Sequence, residues 1–67
     1  MYDLQAGSFV DLVLFDQTGR IVDILVREDQ ISGHYHLEYD GSKLDRGVYT
    51  LRLATEQGTY TTRMIIR

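Results

Sequence analysis

From Phe9 to Asp16 the chain alternates with a period of two, placing Val10, Leu12 and Leu14 on one face and Phe9, Asp11, Val13 and Phe15 on the other. The first set is expected to face a core. Asp16-Gln17-Thr18-Gly19 follows, with an aspartate suited to bonding downstream backbone and a glycine free to reach positive φ, so a hairpin turn is predicted. The next strand, Arg20 to Arg27, breaks the pattern. Strict alternation buries Val22, Ile24 and Val26 but leaves Ile21 and Leu25 outside, so a bulge or change of sheet is expected near Asp23-Ile24.

After a polar loop from Glu28 to Gly33, His34 to Tyr39 alternates, with Tyr35, Leu37 and Tyr39 inward and His34, His36 and Glu38 outward. Asp40-Gly41-Ser42 marks a turn and Lys43 to Gly47 a longer corner. Val48 to Thr55 reads as a strand burying Tyr49, Leu51 and Leu53. Glu56-Gln57-Gly58 closes a hairpin onto a last strand, Thr59 to Arg67, with Tyr60, Thr62, Met64 and Ile66 on one side and Thr61, Arg63, Ile65 and Arg67 on the other. A short strand at Tyr2 to Gln5 completes the set. No segment sustains a helical period, and the six glycines fall between the apolar runs. The expected architecture is all-β: an immunoglobulin-like antiparallel β-sandwich of six to seven short strands, forming one domain over residues 1–67.

Size changes the functional picture. In 67 residues nearly every large apolar side chain is needed for packing, which leaves little to build and support an enzyme's pocket. Ten acidic and seven basic residues give a net charge of −3 with no basic stripe, so no nucleic-acid partner is expected. The longest apolar stretch, Ile21 to Val26, is interrupted by Asp23 and is too short for a membrane-spanning helix. Without cysteine there are no disulfides and no thiolate metal ligands.

Candidate chemistry is sparse. His34, His36 and Glu38 stand at i, i+2 and i+4, a spacing that projects two imidazoles and a carboxylate from one strand face, but a solvated face carries the same residues routinely. Asp40-Gly41-Ser42 lacks the alternating acids and terminal glutamate of an EF-hand and is explained as a turn. Ser8, Ser32 and Ser42 lie outside any nucleophile-elbow frame, and Asp40 and Asp45 are solvated turn acids. No catalytic residue, cofactor, metal or small-molecule substrate is expected. Tyr35, Tyr39 and Tyr49 share core parity, while Tyr2, Phe15 or Tyr60 would form the sugar platform of the alternative reading, a carbohydrate-binding module of a glycoside hydrolase.

Residues 8–67 resemble a known family. Val10-Asp11-Leu12-Val13-Leu14-Phe15-Asp16-Gln17-Thr18-Gly19-Arg20-Ile21-Val22 is similar to the first half of the type A C-terminal sorting domains of the type IX (Por) secretion system. There an alternating strand ends in an aromatic-Asp pair and a Gly-Arg turn. Ser32-Gly33-His34-Tyr35, Leu37, Tyr39-Asp40-Gly41-Ser42, Leu44, Gly47-Val48-Tyr49 and the terminal Arg63-Met64-Ile65-Ile66-Arg67 follow the order of the second half. Two features differ: the proline-free chain lacks the family's Asn-Pro segment, and Tyr39 stands where tryptophan is common.

The resemblance implies a non-catalytic export and surface-anchoring address at the end of a larger secreted protein. Its cargo would lie on the N-terminal side, and outer-membrane secretion and attachment machinery would be its protein partner. It further implies transit through the periplasm to the cell surface or medium. Arg63, Met64, Ile65, Ile66 and Arg67 would be read by that partner, whereas Gly19, Arg20, Gly33, Asp40, Gly41, Leu44, Gly47 and Tyr49 would be mainly structural. Likeness to the immunoglobulin-like domain of flagellar hook-capping proteins supplies the other alternative, a structural protein-interaction module.

Overall fold

The computed structural model describes residues 2–36, 39, 42 and 44–67. Among them six strands occur in chain order: β1 (Tyr2–Leu4), β2 (Ser8–Phe15), β3 (Ile21–Gln30), β4 (Gly33–Tyr35), β5 (Gly47–Thr55) and β6 (Gly58–Ile66). They form two antiparallel sheets in a sandwich-like arrangement, a four-stranded sheet in the order β3-β2-β5-β6 and a two-stranded sheet of β1 and β4. The all-β expectation holds.

The core centres on β2, where Val10, Val13 and Leu14 are fully buried and Leu12 nearly so; Leu4 and Tyr49 join them. Val10, Leu12 and Leu14 lie on the face toward β1, as their alternation requires. Tyr2 of β1 donates to Gln30 Oε1 at 2.6 Å and stacks on Tyr35 of β4, with ring centroids 5.2 Å apart, so the small sheet is fastened over that face. Burial raises the Tyr2 hydroxyl pKa above its ordinary value, against the opposing effect of the Gln30 hydrogen bond. Buried Ser8 accepts from Glu56 N–H at 2.8 Å and donates to Phe9 C=O at 2.9 Å, tying the start of β2 to the β5–β6 turn.

The expected irregularity is present in β3, and it occurs twice. Leu12 pairs with Val26 but Val13 with Ile24, so Leu25 is passed over; Leu14 pairs with Asp23 but Phe15 with Ile21, so Val22 is passed over. Each extra residue resets the alternation. Leu25 becomes half-buried, while Ile24 joins Ile21, Phe15 and Val13 on the face away from β1. The expected burial of Val22 and Ile24 is therefore corrected: they are 37% and 43% exposed.

Three further expectations change. Val13, assigned outward, is fully buried, because its cross-strand neighbours there are Ile24 and the long side chain of Arg52. β3 continues to Gln30, into the segment expected as loop, since Ser8, Phe9 and Val10 offer partners to Gln30, Asp29 and Glu28. The strand expected from His34 to Tyr39 is shorter: β4 ends at Tyr35, the last residue with a partner in β1. Tyr35 and Tyr39 are half-buried; their hydroxyls bond Ile31 C=O at 2.6 Å and the Asp23 carboxylate at 3.2 Å. Leu37, Glu38, Asp40 and Gly41 lie outside the described residues.

Candidate recognition site

The last strand is built by its hairpin. Glu56 and Gln57 turn between Thr55 and Gly58, and β6 then pairs with β5 in unbroken register from Thr55↔Gly58 to Gly47↔Ile66. Met64 lies opposite the core tyrosine Tyr49, and Met64 and Ile66 are half-buried on the core-facing side. Arg63 and Ile65 share the other side, Ile65 being 57% exposed, and Arg67 follows the strand, exposed. Tyr60, on the core-facing side, is nonetheless 62% exposed and lines a concavity with Asp3, Leu4 and Gln5. Residues 63–67 thus divide into an anchoring pair and three solvent-facing groups.

The residues expected to be structural sit at three separate corners. At the β2–β3 turn one Asp16 carboxylate oxygen accepts from Thr18 N–H at 2.8 Å, Thr18 Oγ1 at 2.7 Å and Arg20 N–H at 3.0 Å. These bonds, the Thr18 hydroxyl foremost, hold the Asp16 pKa below its ordinary value. Gly19, at φ 89°, occupies the left-handed region the turn requires. Gly33 opens β4. At the corner before β5, Leu44 is half-buried, Gly47 adopts φ 155°, and buried Tyr49 donates its hydroxyl to Asp45 C=O at 2.7 Å. That bond has the form of a tyrosine corner.

Other candidate groups are dispersed. His34 Nδ1 lies 2.6 Å from Asp3 Oδ1, across the β1–β4 pair, His36 lies beyond the strand, and Glu38 lies outside the described residues. Among the described residues no group of three or more His, Cys, Asp or Glu is placed to hold a metal ion. Tyr2 is stacked, Phe15 is covered by the Arg52 guanidinium at 4.7 Å, and Tyr60 lies on the opposite face of the sheet from Phe15. They do not make one sugar platform.

Sequence reasoning missed Arg52. It pairs with Val13 and Thr61, placing it beside Thr50 and Arg63 on the face away from β1. Phe15, Gly19, Thr50, Arg52 and Thr61 line a shallow concavity there. Arg52 Nε is buried with no hydrogen-bond partner among the described residues. The available signal was parity: drawing the hairpin through Glu56-Gln57 puts the lone charge of Val48 to Thr55 on the Arg63 face.

The family of secretion-system C-terminal sorting domains matches residues 2–67. The chain belongs to that family. No curated protein and no solved structure matches it. The sorting domain is a C-terminal signal for the type IX secretion system, and its family is typically non-catalytic. This identity implies interaction with the secretion machinery, a cargo on the N-terminal side, and export to the cell surface or outside.

Proposed function

We propose that the sorting domain stands last in a larger secreted protein and passes through the periplasm. It is read by the outer-membrane secretion and attachment machinery through Arg63, Met64, Ile65, Ile66 and Arg67, without catalysis. The observation that carries this reading is the division within β6. Met64 and Ile66 fix the strand to the fold, whereas Arg63, Ile65 and Arg67 face solvent, the two arginines without an ion-pair partner among the described residues. Exposed charges contribute little to stability, so their substitution separates recognition from folding.

The test fuses the chain, preceded by its native upstream residues, to a periplasm-directed reporter in a bacterium with this secretion system. The parent fusion should reach the surface or medium. Exchanging both Arg63 and Arg67 for glutamate should hold the reporter in the periplasm while the melting temperature of the purified domain stays nearly unchanged. Equal export of the exchanged and parent fusions would show that these residues are not the address.

A further inference from the structure

The four-stranded sheet has two edges, β3 and β6. Edge strands offer unpaired N–H and C=O groups to other chains, and proteins blunt them with bulges and charges. β3 is blunted in both ways: its ladder is interrupted twice, and within ten residues it carries Asp23, Glu28 and Asp29 against Arg27, which is paired with Asp11 at 2.9 Å. β6 has neither a bulge nor an acid. With Thr55↔Gly58 closing a two-residue turn, β6 bonds β5 through Gly58, Tyr60, Thr62, Met64 and Ile66. Thr59, Thr61, Arg63 and Ile65 direct their backbone groups to the other edge, which pairs with no strand among the described residues.

Charge defines what that edge suits. In a chain of net charge −3, the side chains of β5 and β6 that carry charge at neutral pH are those of Arg52 and Arg63. Both lie on the same sheet face, separated only by short threonines in the pairs Thr50↔Arg63 and Arg52↔Thr61. Arg52 is held by its stack on Phe15, leaves Nε orphaned, and has no carboxylate partner among the described residues. Arg52 therefore adds positive charge to this face from the neighbouring strand, while Arg63 stands at the edge itself.

We propose that the free edge of β6 accepts an extended acidic segment of a partner protein as an added strand, whose carboxylates pair with Arg63. This rests on the reading of β6 as the recognised element and names the chemistry of its partner. An added strand would lie about 5 Å beyond β6, with its alternate side chains on the arginine face.

The test titrates the 67-residue chain with an end-blocked ten-residue peptide of alternating glutamate and valine, followed by amide hydrogen exchange. Comparison peptides carry lysine for glutamate, or methyl groups on alternate backbone nitrogens. The glutamate peptide should bind in a salt-sensitive manner and slow exchange at Thr59, Thr61, Arg63 and Ile65. The comparison peptides should not. Arg63→Gln should weaken binding about tenfold or more, and Arg52→Gln by less. Thr61→Pro should abolish it by removing an edge donor, and the methylated peptide probes the same backbone bonds should that variant fail to fold. Binding of the lysine or methylated peptide equal to that of the glutamate peptide would overturn the proposal. So would absence of binding, or self-association of the chain that competes with the peptide. Export by the reporter fusion is a separate readout: binding lost with export intact refutes strand addition, whereas export insensitive to Arg63 and Arg67 with binding intact refutes the sorting role of those arginines.

Discussion

β2 and β6 lie on either side of β5 and the sequence of each alternates over eight or nine residues, but they are used in different ways. β2 is enclosed: strands pair with both of its edges, and Val10, Leu12, Val13 and Leu14 are buried. β6 pairs along one edge, and no residue in it is fully buried. Alternation therefore reports a strand's two faces but not its place in the sheet. Sheet position decides how much each face contributes to stability, and in this chain it concentrates stability in β2 and leaves β6 accessible.

The strongest way to break this comparison is to truncate matching positions. A domain of this length is expected to have on the order of 3–10 kcal/mol of stability, at ~0.05–0.15 kcal/mol per residue. Leu14→Ala should cost about 2–5 kcal/mol, whereas Ile66→Ala, at a half-buried site, should cost roughly 1 kcal/mol. Urea denaturation of both variants checks the order, and equal losses would mean that β6 shares the core. A smaller effect tests the corner leading into β5. Tyr49→Phe removes the bond to Asp45 C=O while keeping the ring, and should lower stability by about 1 kcal/mol in a thermal melt. No loss would assign Tyr49 to packing alone.

The smallest effect is at the solvent-exposed β2–β3 turn. Its Asp16 pKa is lowered from 3.8, so the associated stability is fully present above that value and is lost as pH falls through the lower folded-state value. Asp16→Asn should remove this part of the acid dependence. Melting temperatures of parent and variant should therefore converge as the pH is lowered below 3.8. A constant difference over that range would contradict the assignment.

Much of the fold is legible in the sequence because its determinants are local. The Asp16–Gly19 turn and the Glu56-Gln57 hairpin follow from side chains that bond backbone a few residues away. What is not legible depends on partners distant in sequence. Val13 reads as outward from its own strand, and only the pairing with Ile24 and Arg52 encloses it. β4 ends at Tyr35, opposite Tyr2 of β1, which the alternation through Tyr39 does not reveal. The terminal site is visible as a basic-flanked strand. Arg52, eleven residues before Arg63, joins it only through the β5–β6 register.

The pairing of β2 with β5 has a kinetic consequence. The β2–β3 and β5–β6 contacts close through short turns, but β2–β5 pairs join residues 35 (Phe15↔Thr50, 50 − 15) to 43 (Asp11↔Ala54, 54 − 11) positions apart. Both hairpins are therefore expected to form early, with the rate of folding set by the loop closure that brings β2 to β5. Stopped-flow refolding should show Leu14→Ala slowing folding and Ile66→Ala acting mainly on unfolding. Until that closure occurs the chain has no core, and the hairpin that carries the terminal arginines is held only by its own two strands.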